Sequence, residues 1–243
     1  METTAEKETL KTILSGYSAE RWYISMNKVR RWLEEQGLSY KPVSVKQELN
    51  NLKKAGILFD AGRGWYSTLP KIYQLNTEAV REQEKKIADT FHLLPFSIWS
   101  NRQLISHYHH LPTRYVTFIY LESDFLTTVR DYLLGEELPV YLNPLASEVD
   151  KNFDIGRNPF VLRPRITEEP VEGHFSTIEK ILVDLFIEKD KLYLMDEWEY
   201  REIFRSITER YRINMGRLLR YSQRRKIRSP MEELVQSLMK AKS

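Results

Sequence analysis

Residues 44–69 constrain what this chain can fold into more than any other stretch. Val45, Leu49 and Leu52 recur at the spacing of one helix face. Gly56 follows, where a left-handed residue ends a helix at little steric cost. Ile57-Leu58-Phe59 and Trp65-Tyr66-Ser67-Thr68-Leu69 flank Asp60-Ala61-Gly62-Arg63-Gly64, the pattern of a hairpin with a glycine-rich tip. Upstream, Lys41-Pro42 forces extended or turn backbone, and Ser44 is placed as an N-cap accepting from the first free amides of the helix. A helix of about three turns followed at once by such a hairpin predicts a winged helix-turn-helix. Helices predicted over residues 6–14 and 25–35 complete the unit. The second has Val29, Trp32 and Leu33 on one face and Gly37 at its end.

The face of the 44–56 helix opposite its apolar stripe carries Ser44, Lys46, Gln47 and Asn50. The major groove of DNA admits a helix, and Gln and Asn pair with adenine edges while Lys reaches guanine or phosphate. Arg63 at the hairpin tip is placed to contact phosphate or the minor groove. Lys53, Lys54, Arg30, Arg31, Lys28 and Lys41 add attraction that does not depend on base sequence. Residues 1–70 hold eleven Lys/Arg against eight Asp/Glu, a surplus modest enough to leave a scaffold or protein-contact role open.

Beyond residue 75 the pattern changes. Residues 76–93 read as a charged, solvated helical connector. A second domain is predicted over 94–243, giving an α+β fold: a mixed α/β domain with a helical C-terminal layer. Strands are expected at 95–99, 115–121, 138–142 and 159–165, the strongest being Tyr115-Val116-Thr117-Phe118-Ile119-Tyr120-Leu121. Ser100 with Gln103, and Ser176 with Glu179, have capping-box spacing, and Ser123 is placed to cap a helix to about Leu134. Residues 196–210, 214–225 and 230–240 read as helices. Residues 201–228 hold ten basic side chains against two acidic ones. Arg210, Arg217, Arg220, Arg224 and Arg228 recur there at intervals that place several on one helix face. Such a stripe suits nucleic-acid phosphate or an acidic partner.

Several classes are disfavoured. With no cysteine, disulfides and thiolate zinc sites are excluded. The start, Met1-Glu2-Thr3-Thr4-Ala5-Glu6-Lys7, lacks the features of a signal peptide, and no apolar run approaches a membrane span, so a soluble cytoplasmic protein is expected. His107-Tyr108-His109-His110 offers no pair at the spacing of a helix metal site. No metal and no cofactor are expected. Walker, GxSxG and HExxH motifs are absent, as is the nucleotidyltransferase Gly-Ser with paired aspartates. Asp124, Asp184 and Asp196 are scattered, in positions that suit caps or surface charges, and Glu84-Lys85-Lys86 matches a nuclease motif in letters only. Catalysis is not expected.

The chain resembles the AbiE-type (type IV) antitoxin family. The residues that carry the resemblance are Arg63-Gly64-Trp65-Tyr66 and Phe96-Ser97-Ile98-Trp99-Ser100, then Tyr115 to Glu122, the helix Thr177 to Phe186, and Asn214-Met215-Gly216-Arg217-Leu218-Leu219-Arg220-Tyr221. The resemblance implies an autorepressor whose winged helix binds double-stranded DNA at an operator, in inverted repeats. It also implies a C-terminal domain that opposes a partner nucleotidyltransferase toxin, without requiring a stable complex. The aromatic segment with Trp22, Tyr23 and Trp32 exceeds what a minimal winged helix needs. The alternative is a stand-alone winged-helix transcription factor whose C-terminal domain senses a ligand or binds a protein.

Overall fold

The computed structural model describes residues 9–112 and 114–240. They divide into two compact units. One holds the described residues as far as 73 with 208–220 and 227–240; the other holds the described residues of 74–207 with 221–226. The fold is α+β, with α-helices and strands numbered below in chain order.

The first unit opens with α1 (Leu10–Ala19), β1 (Tyr23–Ser25), α2 (Met26–Glu35) and α3 (Pro42–Lys54), followed by β2 (Phe59–Asp60) and β3 (Trp65–Ser67). The three strands form an antiparallel sheet in the order β1-β3-β2. Leu14, Val29, Leu33, Val45, Leu49, Leu52 and Leu58 are buried in one core, as the helix-face spacing requires. The helix expected over 6–14 runs further, to Ala19, and the expected residues 6–8 lie outside the described ones.

Ser44 is not the N-cap of α3. Lys41 takes that place in extended backbone, and Pro42 occupies the first turn. Proline there removes an amide that would lack a partner anyway, and its fixed φ already suits a helix. Ser44 lies inside the first turn, its amide donating to Lys41 O at 2.9 Å. At the other end Gly56 takes φ +73°, after the last residue of the helix.

The second unit begins with α4 (Glu78–Thr90), then β4 (Phe96–Ser100), β5 (Thr117–Leu121), α5 (Leu126–Gly135), β6 (Val140–Leu142), α6 (Ala146–Asn152), β7 (Phe160–Pro164), β8 (Val171–Glu172), β9 (Phe175–Ser176), α7 (Ile178–Lys191) and α8 (Glu197–Thr208). The sheet order is β6-β7-β5-β4-β9-β8. β6, β7 and β5 run parallel, while β4 is antiparallel to β5 and parallel to β9.

Alternation along the central strands sorts their side chains to two faces. Phe96 and Ile98, Ile119 and Leu121, Phe160 and Leu162 join Val80, Ile87, Val129 and Leu133 in one core. Val80 and Ile87 come from α4 and are fully buried, so α4 is not a solvated connector. It covers the sheet of its own unit. Trp99 stacks on Phe118 at 4.4 Å on the alternate positions.

The capping box at Ser100 and Gln103 forms, but the turn it opens is a 3-10 helix, Asn101–His107. Ser123 caps nothing through its side chain; it starts a short 3-10 turn before α5. At α7 the cap position falls on Thr177, whose hydroxyl donates to Glu179 Oε2 at 2.6 Å.

The C-terminal helices are α9 (Met215–Arg224) and α10 (Arg228–Leu238). Residues through Arg220 and from Ile227 belong to the first unit, not to the domain expected over 94–243. Tyr23 joins the two ends of that unit: its hydroxyl donates to Tyr211 O at 2.8 Å and accepts from Ile213 N at 3.0 Å. Arg212 pairs with Ile72 in a parallel bridge and donates to Leu69 O at 3.1 Å. Of the aromatic surplus near the N-terminus, Tyr23 is thus the residue that holds the C-terminal segment, while Trp32 packs within the N-terminal helices, in ring contact with Tyr17 at 4.5 Å.

Candidate nucleic-acid interface

Because Val45, Leu49 and Leu52 point into the core, the geometry of α3 turns Lys46, Gln47 and Asn50 outward. Ser44, Lys46, Gln47, Lys53 and Lys54 are exposed and Asn50 is half-buried. Lys46, Gln47 and Asn50 border a shallow concavity with Val43, Lys53 and Lys54. Val43 is 74% exposed, an apolar side chain left in water where it suits a thymine methyl. Tyr66 OH reaches Asn50 Oδ1 at 3.4 Å, and Lys53 lies 4.0 Å from Asp60. Both contacts are long, so neither ties these groups firmly.

The hairpin tip is less free than the sequence suggests. Gly64 O accepts from Met26 N at 3.0 Å, and Trp65 N donates to Gly62 O at 2.9 Å. Gly62 has φ +101°, and a Cβ added there would meet Asn214 Oδ1 at 2.1 Å. The tip is therefore seated on the start of α2 and on the turn before α9. Arg63 remains exposed.

Arg30 is half-buried on α2, whereas Arg31 is exposed and lines a groove between α2 and α10. The five arginines expected as one stripe do not form one. Arg210 precedes α9 and Arg228 begins α10; only Arg217, Arg220 and Arg224 share a helix. Arg224 pairs with Glu168 and donates to Thr167 Oγ1, while Arg228 pairs with Glu232 at 2.7 Å. Acids three to four residues along the helix, or on an adjoining loop, absorb charge that the sequence leaves looking unopposed.

Sequence reasoning missed a buried charge network in the second unit. Lys180, Asp184 and Glu188 lie one helical turn apart along α7 and are fully buried. Lys180 Nζ donates to Asp184 Oδ2 at 2.6 Å and to Tyr221 OH at 3.1 Å, and sits 3.4 Å over the Tyr120 ring. Tyr221 OH donates to Asp184 Oδ1 at 2.9 Å, and Arg225 Nε lies 3.2 Å from the same oxygen. Glu169 stands 3.7 Å from Lys180 and accepts from Ser97. Arg163 forks onto Glu188 at 3.1 and 2.6 Å. Asp184, expected as a cap or surface charge, is instead the hub. Three cations face three carboxylates, so the network is neutral, although the buried Arg225 Nε and Tyr120 hydroxyl make no hydrogen bond. The signal for it was the i, i+4, i+8 spacing of these charges on a helix with apolar residues on both flanks.

Burial pushes the Tyr120, Tyr200 and Tyr221 phenols well above their ordinary range, and Asp184 adds to this for Tyr120 and Tyr221. Tyr108 is raised by burial too. Folding thus holds the neutral phenols, and that stability is present in full below the unfolded value of about 10. Above it the unfolded state ionises while the folded state does not, and stability falls by about 1.4 kcal/mol per pH unit for each such phenol. Denaturant midpoints should hold up to about pH 10 and drop steeply above it. An unchanged midpoint would contradict the burial of these hydroxyls.

Among the described residues, no helix is long and apolar enough to cross a membrane. No curated protein matches the chain. Residues 44–241, a span that starts within α3 and covers most of both units, match a family of unknown function, DUF6577. The chain belongs to that family.

Proposed function

We propose that the first unit is a winged-helix DNA-binding module that places α3 in the major groove of double-stranded DNA, and that the chain is a non-catalytic cytoplasmic repressor. The observation that carries this is the division of α3. Val45, Leu49 and Leu52 are buried, while Lys46 and Gln47, with Lys53 and Lys54 at its end, face solvent. A helix whose outward face offers an amide and cations, with Asn50 beside them, matches base edges and phosphates together.

The resemblance to AbiE-type antitoxins extends the proposal. The repressed promoter is then the chain's own, and the second unit opposes a nucleotidyltransferase toxin encoded beside it. Co-expression with the neighbouring gene is expected to restore growth that the neighbour alone inhibits; absence of rescue removes this half of the proposal.

Gel shifts on the chain's own promoter test the DNA-binding half. Lys46→Ala with Gln47→Ala is expected to weaken specific binding by about 1–3 kcal/mol for each base-edge pairing removed. Both side chains are exposed, so the fold should be unaffected. Equal affinity of variant and wild type would reject α3 as the reading helix.

A further inference from the structure

Within the first unit a groove of about 280 Å³ separates α2 from α10. Its floor is Ser25 and Trp65, partners in the β1–β3 register. One wall is α2, where Lys28 and Arg31 stand one helical turn apart. Neither cation has a hydrogen bond or ion pair among the described residues. The other wall is α10 and its C-cap residue: Val235, Gln236 and, just past the helix, Met239 line the groove, with Leu219 of α9 beside them. The acid among the lining residues, Glu232, is engaged by Arg228 at 2.7 Å. The groove therefore holds two unopposed positive charges above an indole and an aliphatic wall.

We propose that this groove binds a small organic anion, a carboxylate, sulfonate or phosphate ester carried on an aromatic or aliphatic body of one or two rings. Lys28 and Arg31 take the charged group. Trp65, which is partly exposed, packs the apolar body together with the edges of Leu219 and Met239, and the Gln236 amide and Asn27 supply directional hydrogen bonds. The size lies at the small end of ligand pockets, which are lined mainly by apolar groups with a few convergent polar ones. Inorganic anions lack a body to fill the apolar half. A nucleic-acid backbone offers only sugar edges, not an extended apolar body, to meet the Trp65 indole. The inference does not depend on α3 meeting DNA.

The probe is 1-anilinonaphthalene-8-sulfonate, an aromatic sulfonate, titrated into the full chain with excitation of tryptophan. One site per chain is expected, with sensitised probe emission that falls in Trp65→Phe. Lys28→Ala with Arg31→Ala should weaken the probe at least tenfold, as should Gln236→Glu, which brings a like charge to the sulfonate. These are exposed or partly exposed positions, and an unchanged thermal midpoint checks the fold. Probe affinity equal to wild type in the double variant overturns the proposal. Displacement by millimolar inorganic phosphate would reduce the groove to a bare anion site and overturn the apolar half. Displacement by duplex DNA of arbitrary sequence would assign the groove to the nucleic-acid backbone instead, and overturn it as well.

Discussion

Asp184→Ala is expected to lower the stability of the second unit by about 3–5 kcal/mol. The carboxylate accepts from Lys180 at 2.6 Å and Tyr221 at 2.9 Å, with Arg225 at 3.2 Å, and all but Arg225 are fully or nearly fully buried. Removing it strands the Lys180 ammonium in the interior with Glu169, at 3.7 Å, as its remaining carboxylate. An unpaired buried charge costs far more than a pair contributes, because neither water nor a counter-ion replaces the missing partner. The double change Lys180→Met with Asp184→Leu removes both charges and should recover most of the loss. Denaturant unfolding followed by circular dichroism measures both. A loss under about 1 kcal/mol for Asp184→Ala would mean that water reaches the cluster and that the network is not the closed hub described above.

Gly62→Ala is expected to destabilise the first unit by about 2–4 kcal/mol, from strain and overpacking together. Its φ of +101° disfavours any side chain, and the new Cβ would meet Asn214 Oδ1 at 2.1 Å and Gly216 N at 2.9 Å. The backbone atom cannot swing away. Nor is Asn214 free to do so, since its Oδ1 accepts from Arg217 N at 2.9 Å and caps the start of α9. Gly56→Ala is the comparison. It shares a positive φ, +73°, but a Cβ there has nothing within 4 Å, so about 1 kcal/mol of backbone strain is all it should cost. Equal costs at the two positions, measured by thermal unfolding, would show that the tip does not rest on the 214–216 turn.

What was legible in the sequence follows the range of the interactions involved. The apolar register of α3 was readable because Val45, Leu49 and Leu52 need only their own helix to share a face. The start of α3 was not, because Pro42 and Ser44 both suit a helix beginning and proline at the first turn won. The strands 117–121 and 160–164 were readable from β-branched and aromatic density, whereas β8 and β9, two residues each, are too short to carry a period. On α7, Asp184 read as a cap or surface charge, because the partners of its charged stripe, Tyr120, Arg163 and Tyr221, come from distant parts of the chain. The same distance hid the return of residues 208–220 to the N-terminal unit, where Tyr23 meets Tyr211 and Ile213. Of the candidate interface, the outward residues of α3 could be named from spacing alone. The seated tip at Gly62 and the paired Arg224 and Arg228 could not.

The chain has no cysteine, so a single one can carry a DNA-cleaving iron–EDTA group without side reactions. Val43→Cys places it on the outward face of α3, and Thr12→Cys places it on an exposed position of α1, a helix that packs behind α3. With both labelled proteins bound to the promoter, the position 43 label is expected to cut both strands at nucleotides lining one major groove of each bound half-site. The position 12 label should leave no focused cuts. Focused cleavage from position 12 with none from position 43 would contradict the assignment of α3 to the groove.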